Sequence, residues 1–130
     1  MSARRTLVID GANVVGSRPD GWWRDRAGAA RRLLAQVEQA RERLPYDRVV
    51  LVLEGAAKAG SSESSDAAVE VVHAPHEGDD EIVAQAAAAR DAGDDVTVVT
   101  ADRGLRARIE QVGAVAVGPG ELLRLVAPAD

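Results

Sequence analysis

A chain of 130 residues with 46% hydrophobic and 28% charged residues has the size and balance of one globular domain with a sizeable core. The absence of cysteine excludes disulfides, thiol catalysis and thiolate-held zinc, and a net charge of −5 argues against coating nucleic acid through bulk positive potential. The opening MSARRTLVIDGANVV holds no apolar run long enough for a secretory segment or a membrane span, so the expected location is the cytoplasm, with no membrane partner.

With two Trp, one Tyr and no Phe, the core must be built from Val, Leu, Ile and Ala. The first predicted element is a strand, Thr6 to Asp10, an apolar run closed by an acid. The residues that leave it read as a loop, in which Asp10-Gly11 and Pro19-Asp20-Gly21 favour turns and Trp22-Trp23 follow the second. From Trp23 to Leu44, the positions Ala30, Leu33, Leu34, Val37, Ala40 and Leu44 recur at helical spacing, and Pro45 supplies a stop. A second strand, Arg48 to Glu54, is followed by a polar segment, Gly55 to Asp66, read as a flexible linker. A third strand, Ala68 to His73, precedes a loop carrying Pro75 and His76. Next comes an alanine-rich helix, Asp79 to Ala92, which opens on three acids and ends at Gly93. A fourth strand, Val96 to Thr100, leads to a helix marked by Leu105, Ile109 and Val112. A weaker strand, Ala114 to Val117, and a helix, Glu121 to Val126, complete the order, and residues 128–130 are expected to fray. The first, second and fourth strands are near-continuous apolar runs, the mark of strands covered on both faces. The fold class expected is therefore α/β, a three-layer sandwich around a parallel sheet, as one domain over 1–130.

The acids fall in a pattern. Asp10 closes the first strand, Glu54 the second, Asp79 and Asp80 open the helix after the third, and Asp102 follows the fourth. In an open parallel sheet these carboxyl ends share one edge, where ligands bind at the switch point. Carboxylates gathered there repel one another unless something neutralises them. A hard divalent cation does so with oxygen ligands, and it can activate water and stabilise charge on a phosphodiester. Taken singly, each acid has a bland explanation: a turn residue at Asp10, dipole and capping residues at Asp79, Asp80 and Glu81, a cap at Asp102. None of those explanations requires all of them to share an edge.

Val8-Ile9-Asp10-Gly11-Ala12-Asn13-Val14, Gly78-Asp79-Asp80-Glu81-Ile82 and Val99-Thr100-Ala101-Asp102-Arg103-Gly104 resemble, in order, the signature blocks of the NYN branch of PIN-like nucleases. The resemblance implies a strand order 3-2-1-4-5, Mg²⁺ or Mn²⁺ at the acidic edge, and endonucleolytic cleavage of RNA by a metal-activated water. Carried over position by position, it implies metal-binding and catalytic roles for Asp10, Asp79 and Asp102, and substrate or water positioning for Asn13. It leaves the further ligand open between Asp80 and Glu54. Relatives often carry another acid one turn into the middle helix, where this chain has Val83 and Ala84.

Around that edge, Arg18, Arg103 and Arg106 are the candidate phosphate contacts, with a solvated charged surface as the plainer reading. His73 and His76 read as ordinary loop histidines. One tryptophan is expected to plug a helix–sheet seam, and the other is open to base stacking. Two rival functions stay in view: a phosphohydrolase of nucleotides or small phosphate esters, and a non-catalytic RNA- or protein-binding module with a degraded metal site. The apolar Leu122, Leu123, Leu125 and Val126 suit either an edge cover or a homodimer contact.

Overall fold

The structure, a computed structural model, describes residues 3–128. The last two positions of the expected frayed tail, 129 and 130, lie outside the described residues. Five strands, β1 (Arg5–Asp10), β2 (Arg48–Leu53), β3 (Glu70–His73), β4 (Asp95–Val99) and β5 (Val115–Val117), form one sheet in the order β3-β2-β1-β4-β5. Every pairing between them is parallel. The expected class and strand order are both present.

Side chains alternate between the two faces of this sheet, and both faces are covered. Leu7, Ile9, Val49, Leu51, Leu53 and Val99 pack against α1 (Gly11–Gly16), α2 (Arg26–Ala40) and α5 (Pro119–Val126). Val8, Val50, Val52, Val96 and Val98 pack against α3 (Gly78–Asp91) and α4 (Arg103–Gln111). The central strands are sealed, with Val8, Ile9, Val50 and Leu51 at 0% exposure. Each such aliphatic side chain contributes about 1.5–3 kcal/mol of burial. Among the described residues no helix is long and apolar enough to cross a membrane.

Three local readings are corrected. The residues after Asp10 are not a loop: Gly11–Gly16 is a helix, α1, capped by the Asp10 side chain. Its two glycines and two β-branched valines are poor helix formers. Burial of Val14 and Val15 together with the cap holds it in place. Gly11 is required by proximity, since a Cβ there would lie 2.6 Å from the Val52 carbonyl oxygen. The long helix begins at Arg26, capped by the Asp25 carboxylate on the Gly28 N–H at 2.8 Å, and Trp22–Arg24 form a separate 3₁₀ turn. The segment read as a flexible linker is seated as well. Gly55–Gly60 is 3₁₀ helix against α2, where a Cβ on Gly60 would collide with the Ala27 carbonyl. Farther on, Ser64 and Val71 exchange two backbone hydrogen bonds of 3.0 Å.

Candidate functional site

The register of β1 against its neighbours places the acidic edge. Asp10 pairs with Val52 on β2, and Ile9 with Val99 on β4, so Thr100 stands beside Asp10 one step beyond the last β4 pair. Asp10, Thr100 and Glu54 have the parity of Val8, Val98 and Val52, the side chains that face α3 and α4. Three residues far apart in sequence are thereby turned toward the N-termini of those two helices.

Hydrogen bonds join them. The Thr100 hydroxyl donates to Asp10 Oδ2 at 2.9 Å and accepts the Asp102 backbone N–H at 3.2 Å. Asp10 Oδ1 accepts the Asn13 N–H at 3.2 Å, and Asn13 Oδ1 accepts the Ala101 N–H at 2.9 Å, tying α1 to the end of β4. Asp102 caps α4 by accepting the Leu105 N–H at 2.8 Å, and Arg106 Nε donates to the Thr100 carbonyl at 3.0 Å. One threonine hydroxyl thus links the Asp10 carboxylate to the backbone of Asp102. Thr100 was not among the candidates. Its signal was present in its place directly after an apolar strand and two residues before an acid, but a buried threonine is ordinarily read as core.

On the other side, Glu54 Oε2 accepts the Gly78 N–H at 2.7 Å, bringing the end of β2 to the start of α3. Asp79 follows on α3, half-buried. Burial raises the Asp10 carboxyl to about 6, with the negative charges of Asp79 and Glu54 adding to the rise against the hydrogen bonds from Asn13 and Thr100. Asp79 is likewise raised, first by burial, then by Asp102 and Glu54, with Arg108 pulling the other way. The charges of Glu54 and Asp79 thus bear on Asp10, and those of Asp102 and Glu54 on Asp79, so that like charges gather around these two carboxyls. Asp80 is drawn elsewhere, into an ion pair with Arg108 at 2.9 Å.

The donor set suits a hard cation. All four side chains offer carboxylate oxygens, and neither cysteine nor histidine competes with them. Among the described residues no three acidic or histidine side chains converge on a single point. Mg²⁺ takes only one or two direct carboxylates and keeps several waters, so a pair of direct ligands with the others reached through water meets its needs. A cation held here would offset the cost of ionising Asp10 and Asp79 in this buried, negatively charged setting.

The basic candidates divide. Arg106 is half-buried against the end of β4, and Arg103 is exposed on the first turn of α4 beside Asp102. Arg18 is turned away to Gln36 on α2. Arg26, near Trp22, lines a cavity of about 420 Å³ between α1, α2 and the end of β2. His73 belongs to β3 rather than to a loop, with its ring nitrogen Nε2 at 2.6 Å from the Ser61 carbonyl, whereas His76 is exposed. Trp22 packs against the core of the α2 face while Trp23 stays outside.

This architecture has relatives. The crystal structure of a mutant of Rae1 (YacP) from Bacillus subtilis superposes with a TM-score of 0.70 over 94% of this chain and 74% of its own, at 24% identity, a likeness of fold. No curated protein sequence matches the chain. The model of the YacP-like NYN domain matches residues 7–130. The chain therefore belongs to the YacP-like NYN domain family, a branch of the PIN-like nucleases.

Proposed function

We propose that this protein is a metal-dependent endoribonuclease that hydrolyses RNA phosphodiester bonds at the carboxyl edge of its sheet. The observation that carries the reading is the Thr100 hydroxyl, which joins Asp10 to the backbone of Asp102 while Glu54 and Asp79 crowd the same group with negative charge. Carboxyls raised by burial and by neighbouring negative charge, as Asp10 and Asp79 are, recur at functional sites. Membership of a PIN-like nuclease branch supports the same conclusion.

Asp10, Asp79 and Asp102 would hold Mg²⁺ or Mn²⁺, with Glu54 as the further ligand. Bound there, the ion supplies positive charge to the phosphoryl oxygens and lowers the pKa of a water. The chain's own residues do the positioning. Thr100 and the Asn13 N–H each hold one oxygen of Asp10. Asn13 ties α1 to the Ala101 N–H, joining the end of β1 to the segment that carries Asp102. Arg103, exposed beside Asp102, meets the phosphate backbone, and Arg106 braces the strand end behind it.

The test is cleavage of an RNA oligomer with and without Mg²⁺ by the wild type, Asp10→Asn and Asp102→Asn, with circular dichroism to establish folding. Internal cleavage that needs the ion and is lost in both folded variants is the expected result. Full activity in either variant would refute the assignment. Release of phosphate from nucleotides without RNA cleavage would favour the phosphohydrolase instead.

A further inference from the structure

The cavity of about 420 Å³ adjoins the acidic group without belonging to it: Gly11, Ala12 and Glu54 form its near side, and Trp22 and Arg26 its far side. Its floor is apolar, with Val15, Ala30, Leu53 and Ala57 contributing, and Glu54 and Glu77 add carboxylates at the rim. The Arg26 guanidinium lies over the Trp22 ring at 5.3 Å, and Trp23 meets Trp22 edge-on at 6.0 Å between ring centroids. Trp23 is 56% exposed, with Arg24 over its ring at 5.8 Å. The core does not account for this grouping. Packing needs only the buried side of Trp22, yet Trp22 and Arg26 line the cavity and Trp23 and Arg24 stand next to them on the adjoining turn.

We propose that this cavity is a subsite for one unpaired nucleobase of the RNA, next to the phosphate held at the acidic edge. The inference rests on the nuclease reading and adds to it a place for the base. Planar bases stack on indole and guanidinium faces in a sequence-tolerant way. The apolar floor excludes a phosphate, and the carboxylates at the rim repel one while accepting the N–H groups of a base edge. Arg24 and Arg26 supply positive charge for the flanking backbone. The strand would then run from the Trp22 turn, past Glu54 and Asp10, toward Arg103. Requiring an extruded base also selects single-stranded over duplex substrate.

Trp22 and Trp23 are the chain's only tryptophans, so indole fluorescence reports on this turn alone. The Trp23→Phe variant leaves Trp22 as the sole indole, excited selectively to the red of Tyr46. It is titrated, with Ca²⁺ replacing Mg²⁺ to hold back hydrolysis, against a short single-stranded RNA and against the same oligomers each carrying one abasic position. The expected result is quenching of Trp22 by the intact RNA, and about tenfold weaker binding when one particular base is missing, the scale of one lost stack. Equal quenching and affinity for every abasic oligomer, or binding that leaves Trp22 fluorescence unchanged, would overturn the proposal. Because Trp22→Ala removes a core contact, Ala57→Leu serves as the companion variant: it fills the cavity and should abolish the preference for an intact base. Cleavage of the same oligomers in Mg²⁺ is followed separately. Quenching without cleavage would sink the nuclease reading and keep the base site, whereas cleavage without quenching would do the reverse.

Discussion

Two buried threonine–aspartate pairs sit at opposite edges of the sheet, and they are wired differently. At the amino edge, Thr6 Oγ1 donates to Asp94 Oδ2 at 2.9 Å; at the carboxyl edge, Thr100 Oγ1 donates to Asp10 Oδ2 at 2.9 Å. Chemistry and distance match, but the company differs. Around Asp94, Arg90 donates to its carbonyl at 2.9 Å, and Arg48 feels its charge while gripping Glu70 at 2.7 Å. Asp47 nearby accepts the Arg5 N–H at 2.8 Å. Around Asp10 stand Asp79 and Glu54. At the amino edge arginines stand among the acids, and Arg48 pairs with Glu70. The carboxyl edge collects like charges, an arrangement that costs stability and is useful only once a cation or substrate arrives.

Substitution at the two edges should break the symmetry most visibly in activity. Asp10→Asn or Asp102→Asn is expected to lower RNA cleavage on the order of 10²–10³-fold, the scale of losing one electrostatic contact to a transition state. Asp94→Asn should leave cleavage near wild type. Equal losses from Asp94→Asn and Asp10→Asn would erase the distinction.

The next largest effect concerns pH. Asp10 rises from 3.8 to about 6 on folding, chiefly through burial. The folded state therefore holds this proton more tightly than the unfolded chain. Relative stability from this group is full below pH 3.8 and is lost as pH rises through about 6. That loss is on the order of 3 kcal/mol. In urea unfolding without divalent ions, Asp10→Asn should gain stability over the wild type as pH climbs from 4 to 7 (about half the gain by pH 5). A difference that does not change with pH would contradict the burial argument.

Thr100→Val keeps the shape and removes the bridge. Cleavage is expected to fall about 10–100-fold, the range for groups that orient metal ligands. Stability is expected to fall by about 1–3 kcal/mol, because Asp10 Oδ2 and the Asp102 N–H lose a partner. Thr6→Val should show the loss of stability without the loss of activity. The smallest effect belongs to Asp80, whose side chain is 73% exposed in its pair with Arg108. Asp80→Ala is expected to change stability by less than about 0.5 kcal/mol and to leave Mg²⁺ affinity unaltered in a thermal-shift titration.

Legibility in the sequence followed the physics of each region. Val8-Ile9, Val49-Val50-Leu51-Val52-Leu53 and Val98-Val99 announce strands buried on both faces, and with them the parallel sheet and the shared edge of the acids. α1 was illegible because its residues have little helical propensity of their own and depend on the Asp10 cap and on Val14 and Val15 being covered by other elements. The seated Gly55–Gly60 segment was missed for a related reason: its polarity says loop, and only the close approach of Gly60 to α2 says otherwise. At the site, Asp10 and Asp102 could be named from their place after strands. The links through Thr100 and Asn13 depend on register and helix position, which no single motif encodes. The cavity beside Trp22 was invisible because its walls come from α1, α2 and the end of β2 together.

Crystals soaked in Mn²⁺ and measured at a wavelength where manganese scatters anomalously would locate the cation. The account predicts a peak at the carboxyl edge of the sheet, about 2.1 Å from an oxygen of Asp10 and within direct or water-bridged reach of Asp79 and Asp102. A saturating soak with no density among these acids, or with density only beside Asp94 and Glu70, would contradict it.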